Sequence, residues 1–160
     1  MLNVTILCLG KLKEPWLRSA VAEYAKRLTP FCKLTIIEKT PVRLPSEPSE
    51  AQIAAALREE AEVILRDIPA GAYVYAMCIE GNQRSSEEFS RELSQLGVNG
   101  ESHIVFLIGS SYGLADEVKR RANAKLSMSE MTFPHQLARV MLLEQLYRAF
   151  MIDRGGKYHK

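Results

Sequence analysis

The segment Val105-Phe-Leu-Ile-Gly-Ser-Ser-Tyr-Gly113 decides how this chain folds. A short apolar run cut off at Gly109, with a further glycine at Gly113, reads as a buried strand that delivers a tight loop. Further on, Leu126-Ser-Met-Ser-Glu-Met-Thr-Phe-Pro-His135 passes through a polar, thioether-rich stretch straight into a long apolar helix. Two loops placed in this way can close over one small ligand.

Working outward, strand-like and helix-like segments alternate from end to end. Strands are expected at Asn3–Leu9, Lys33–Lys39, Ala72–Ile79, His103–Ile108 and Lys125–Met128. Helices are expected at Glu14–Leu28, Glu50–Arg66, Ser85–Leu96, Ala115–Ala122 and from His135 to Ile152. In the first helix Trp16-Leu17, Ala20-Val21, Tyr24-Ala25 and Leu28 follow the amphipathic period, with Pro15 in the first turn. Ser49 with Gln52, and Ser85 with Glu88, have capping-box spacing. Thr40–Pro48, rich in proline, is a loop. Such alternation predicts an α/β fold with a mostly parallel sheet and helices on both faces, in a single domain spanning 1–160.

The last helix is apolar nearly all round, leaving only Glu144, Gln145 and Arg148 as a polar stripe. A helix of that kind is buried on most sides. Either a second copy of the chain or the rest of the same chain covers it.

Composition limits the chemistry. No apolar stretch is long enough to span a bilayer. The N-terminus has neither a basic leader nor a cleavage site and reads as a strand. Cys8, Cys32 and Cys78 are isolated and odd in number, which favours free buried thiols in a reducing cytoplasm. No metal-ligand spacing occurs, so no metal is expected. Met1–Val118 holds 12 basic against 16 acidic residues, a net −4, whereas Lys119–Lys160 holds 9 against 3, a net +6. That asymmetry fits a polyanionic partner on one face, or a merely solvated basic surface.

Neither G-x-G-x-x-G nor G-x-x-x-x-G-K-[ST] is present, which excludes the usual dinucleotide and P-loop enzymes. Ser110 and Ser111 lie outside any nucleophile elbow, and no acid is evidently paired with His135 or His159. The zinc deaminase pattern is missing too.

Several pieces, in order, then carry a resemblance. They are Leu9-Gly-Lys-Leu-Lys-Glu14, Ile79-Glu-Gly-Asn82 with Ser85-Ser-Glu-Glu-Phe89, and Phe106-Leu-Ile-Gly-Ser-Ser-Tyr-Gly-Leu114. Leu126-Ser-Met-Ser-Glu-Met-Thr-Phe-Pro-His-Gln-Leu-Ala-Arg-Val140, Glu144-Gln-Leu-Tyr-Arg-Ala149 and Tyr158-His159 complete them. Over its whole length the chain resembles the pseudouridine N3-methyltransferases of the ribosomal large subunit (23S rRNA), the small stand-alone branch of the SPOUT superfamily.

The resemblance implies a C-terminal trefoil knot, a homodimer and a cleft for S-adenosyl-L-methionine. Carried across, Met77, Gly109 and the run Met128, Ser129, Glu130, Met131, Thr132 and Phe133 match cofactor-binding positions. Backbone groups there would meet the adenine and amino-acid moieties, and Met and Phe side chains would cover the adenine. Two positions depart from the pattern: Ser110 stands where a second glycine is usual, and Met77 replaces leucine. A non-glycine residue forced to positive φ at 110 costs about 1–2 kcal/mol.

The implied reaction moves a methyl group to N3 of a pseudouridine in 23S rRNA on the assembled ribosome. The N3 proton must leave, so a base or a cation beside the imide is useful. Arg148, Tyr158, His159, His135 and Arg154 are the candidates. The resemblance favours Arg148, Tyr158 and His159, with the tail reaching a partner subunit's cleft. Arg154, Lys157 and Lys160 are the RNA-contact candidates. With few aromatic residues outside strands and helices, no platform for stacking bases is evident, so phosphate contacts and RNA shape are expected to carry recognition. A catalytically silent RNA-binding dimer, supported by Ser110, and a small-molecule methyltransferase are the competing readings.

Overall fold

The computed structural model describes residues 1–160. Its elements are β1 (Leu2–Leu9), α1 (Pro15–Leu28), β2 (Cys32–Lys39), α2 (Glu50–Asp67), β3 (Tyr73–Gln83), α3 (Ser86–Val98), β4 (His103–Ile108), α4 (Asp116–Arg121), β5 (Ala124–Ser127) and α5 (His135–Asp153). One sheet runs in the order β2-β1-β4-β3-β5, with every neighbouring pair parallel.

Both capping boxes form. Gln52 N–H donates to Ser49 Oγ at 3.1 Å while Ser49 N–H donates to Gln52 Oε1 at 2.8 Å. Ser85 and Glu88 repeat the exchange at 3.1 and 2.7 Å. Each box satisfies two N–H groups that a helix start leaves without partners.

Alternation along the strands builds two cores. Val4, Ile6, Tyr75, Ile104 and Phe106 face α1, α3 and α5. Leu7, Leu9, Val74, Val105 and Leu107 face the side covered by α2 and α4. Burial on both faces explains why β4 reads as an unbroken apolar run. Because β4 lies mid-sheet, its C-terminal end at Ile108 opens among the ends of its neighbours, where ligands of open α/β sheets bind.

Three expectations need correcting. The third strand runs on to Gln83, because its register against β5 shifts between Met77 and Asn82 and looses a four-residue excursion, Cys78–Gly81. Gly81 is required there: a Cβ would lie 2.8 Å from the backbone of Lys125 and Leu126. Trp16, assigned to the apolar face of α1, is 61% exposed; the buried line runs through Leu17, Val21 and Leu28, one residue round the helix. Arg139, in the expected apolar body of α5, is buried and pairs with Glu38 at 2.6 Å. No helix is long and apolar enough to cross a membrane.

Helix α5 packs on α1 and α3 through Leu142, Leu143, Leu146 and Ala149. Val140, Met141, Tyr147 and Phe150 remain only partly covered.

Candidate active site

The ends of β3, β4 and β5 enclose a cleft of about 860 Å³. Its walls are the excursion after Met77, the loop Gly109–Gly113 and the loop from Met128 to Pro134, with His135 and Ala138 of α5 closing one side. Met77, Gly109, Met128, Ser129, Met131, Thr132 and Phe133, the positions that the resemblance matches to cofactor binding, all line it. Glu130 is exposed and stands outside the wall.

Sterics select glycine at position 109. A Cβ on it would sit 2.3 Å from the carbonyl oxygen of Gly113. The loop is that tight because Gly113 N–H donates to Ser110 carbonyl oxygen at 2.8 Å and Gly113 takes φ +84°. Ser110 itself carries no strain, since no residue other than glycine has positive φ. Its hydroxyl donates to Glu60 Oε1 at 2.9 Å, and Glu60 Oε2 accepts Val42 N–H at 2.9 Å. Glu60 is buried on α2, so the substituted serine fastens the loop to the helix behind it.

Of the large apolar side chains left exposed, Ile79 (48%), Tyr112 (48%) and Met131 (74%) all line this cleft. Apolar groups concentrated in one concavity with exposed backbone mark a ligand site. At its mouth Lys119 pairs with Glu80; hydrogen bonding from Lys119 lowers the Glu80 pKa. Cys78, half-buried, also lines the cleft, and burial raises its thiol pKa. No cluster of His, Cys, Asp and Glu is arranged to hold a metal.

His135 lines the cleft beside Gly10, at whose position a Cβ would lie 3.4 Å from His135 Nε2. Burial, with the charges of Arg139 and Lys13, lowers its pKa and favours the neutral ring. Arg139, which the sequence reading missed as a structural anchor, reaches Gly10 carbonyl oxygen at 3.0 Å. Its Nε is buried without a partner. A charge within an apolar helix was the available signal.

Arg148, Tyr158 and His159 come together, but away from the cleft. Arg148 Nε donates to Glu144 Oε1 at 3.0 Å, and Tyr158 hydroxyl donates to the same oxygen at 3.1 Å. Arg148 Nη1 lies 3.0 Å from His159 Nδ1, and His159 Nε2 lies 2.6 Å from Glu87. Burial and the Glu144 hydrogen bond push the Tyr158 pKa up to about 12, so the phenol stays protonated at neutral pH. The hydrogen bond to Glu144 raises Arg148 further, keeping its cation permanent. Arg154 stacks over the Phe31 ring at 4.3 Å; Lys157 and Lys160 are exposed.

Glu144 also borders a second depression of about 550 Å³, walled by Tyr24, Ser86 and Met141 among others. Leu126, Ser127 and Met128 line both cavities, so this segment divides the tail cluster's side from the cleft.

A family model described as "Predicted SPOUT methyltransferase" matches residues 2–159. The chain belongs to the SPOUT methyltransferase family. Among its SPOUT relatives, a protein of Clostridium acetobutylicum is 52% identical and one of Ligilactobacillus salivarius (strain UCC118) 50% identical. Both are named "Ribosomal RNA large subunit methyltransferase H", and each match covers 99% of this chain and 100% of the relative. A solved structure described as "The structure of a probable methylase family protein from Haemophilus influenzae Rd KW20" superposes with a TM-score of 0.55. It covers 99% of this chain and 71% of that one at 15% identity, a likeness of fold. Family membership implies a methyl donor, and the cleft is walled largely by segments that carried the resemblance, Gly109–Leu114 and Leu126–His135 among them.

Proposed function

We propose that this chain methylates N3 of a pseudouridine in 23S rRNA on the assembled ribosome, using S-adenosyl-L-methionine bound between Gly109 and Phe133. It acts in the cytoplasm as a homodimer of single-domain subunits, each knotted at its C-terminal end in the manner of the family. The observation that carries this reading is the convergence of all three loop segments on one half-apolar cleft, in a chain 50% identical over its full length to a ribosomal RNA methyltransferase.

The residues suit the donor. Ile79, Tyr112, Met131 and Phe133 offer apolar cover for an adenine, and the lack of a side chain at Gly109 lets the Gly113 backbone fold tightly against it to shape the wall. Bound there, the donor supplies an electrophilic methyl group on a sulfonium centre. The chain's contribution is positioning and exclusion of water. At the acceptor, an imide anion needs a fixed cation and somewhere for its proton. Arg148 supplies the cation, oriented by Glu144. His159, bridging Arg148 and Glu87, can relay a proton, while Tyr158 serves as a donor and not a base. His135 offers a neutral ring inside the cleft.

Since Leu126–Met128 stands between the tail cluster and the cleft of the same chain, the tail serves the cleft of a second copy. The partly covered face of α5 supports that pairing. Ser110, the ground for a catalytically inert binder, takes an ordinary backbone conformation and gives that reading no support.

Ribosomes from a strain lacking this gene are the test substrate. Incubation with methyl-tritiated S-adenosylmethionine should label 23S rRNA at one pseudouridine, mapped by nuclease digestion and mass spectrometry. Label on free nucleosides, or no label with donor bound, refutes the assignment.

A further inference from the structure

One aromatic ring stands out into solvent from a helix: Trp16, 61% exposed in the first turn of α1. A tryptophan is usually among the more buried residues, so one left out this far needs a reason. The loop that precedes it, Gly10–Glu14, carries Lys11 and Lys13, both exposed and neither in an ion pair.

That loop is held from three sides. Arg139 donates to Gly10 carbonyl oxygen at 3.0 Å, and the Gln136 side chain accepts Lys13 N–H at 3.2 Å. Arg18 Nη1 donates to the carbonyls of Leu12 and Lys13 at 3.1 and 3.0 Å. Two of these anchors sit on the first turns of α5, next to His135 in the cleft wall. Gly10, at φ +102°, makes the bend that brings the loop there. Glu14, exposed, is the single acidic side chain in the segment.

A fixed loop with two unpaired cations and an exposed indole has the makings of a single-strand contact: charge for phosphates and a π-face for a base. We propose that Trp16, Lys11 and Lys13 form a docking surface for single-stranded RNA beside the cleft, an unpaired base stacking on the indole and flanking phosphates meeting the lysines. This deepens the RNA reading above by naming where the strand lies. It also gives the Leu9–Glu14 motif a role beyond the fold.

Trp16 is the only tryptophan in the chain, so its own fluorescence reports the contact. Titrating the full chain with a short mixed-sequence single-stranded RNA should quench that emission saturably, and a duplex of equal length should not. In fluorescence anisotropy with labelled RNA, Trp16→Ala should weaken binding between about 5- and 150-fold. Trp16→Phe should restore most of it. Lys11→Ala and Lys13→Ala should each reduce the salt slope of log K by about 0.7. S-adenosylmethionine affinity should be unchanged throughout.

RNA binding that leaves the emission unaltered, or that Trp16→Ala does not weaken, overturns the proposal. So does a changed sedimentation coefficient in Trp16→Ala, which would mean that a second copy covers the indole. Failure of wild type to bind the RNA overturns it as well. Quenching by RNA in a chain that never binds S-adenosylmethionine sinks the methyltransfer assignment and leaves this surface standing. Methyl transfer with a silent Trp16 does the reverse.

Discussion

Gly109→Ala tests the cleft most sharply. The added methyl would lie 2.3 Å from Gly113 carbonyl oxygen and 2.4 Å from its carbon, backbone atoms that cannot rotate aside. Recovering ordinary contact at 3.4 Å obliges the two arms of the loop to separate by about 1 Å. Such overpacking costs about 1–3 kcal/mol, or a fall in Tm of about 2–12 °C for a chain of this size. A displacement of about 1 Å in this loop should weaken S-adenosylmethionine binding by about 5- to 150-fold, the loss of roughly two hydrogen bonds. Gly113→Ala is the matched control. Its Cβ meets nothing within 4 Å, and its cost comes only from φ +84°, about 1–2 kcal/mol. The two variants should therefore lose comparable stability, while Gly109→Ala loses far more donor affinity by calorimetry. Donor binding within threefold of wild type in a folded Gly109→Ala protein would refute the geometry on which the cleft assignment stands.

Glu60→Ala strands Val42 N–H and the Ser110 hydroxyl, and should lower stability by about 1–3 kcal/mol in urea denaturation; Ser110→Ala, which removes one donor only, should cost less. His135 has a folded pKa below its ordinary 6.5, so the unfolded chain binds more protons in that window. Stability should accordingly fall as pH drops from 6.5 toward the folded value, and His135→Gln should flatten that part of the pH–stability curve. Deleting Lys157–Lys160 should weaken RNA binding and abolish methyl transfer while leaving donor affinity intact; equal loss of both affinities would contradict the separation of tail and cleft.

Much of this architecture is legible in the sequence because local chemistry agrees with the global fold. Ser49 and Ser85 mark helix starts through contacts three residues long, and Val105–Ile108 announces a strand buried on both faces. What stayed hidden is non-local. The polar run Glu80-Gly-Asn-Gln83 reads as the end of a strand, and only Leu126 across the gap reveals that pairing resumes. Ser110 looks like a defect in a glycine pair until Glu60, on a distant helix, is seen to receive its hydroxyl. Arg139 is concealed by its apolar neighbours, since nothing nearby in sequence discloses that Glu38 awaits it. Trp16 misleads because apolarity argues for burial, whereas one step round a helix is enough to turn a side chain outward. At the candidate site, the segments that carry the family resemblance point to the loops of the cleft; the remoteness of Arg148, Tyr158 and His159 from it emerges only in three dimensions.

Met128 borders two hollows at once, the cleft and the depression beside Glu144. Its thioether is flexible, so a guest that fixed its position in one hollow would alter the shape of the other. Were both hollows to hold guests, linkage would work in both directions, each guest changing the grip on the other by the same factor.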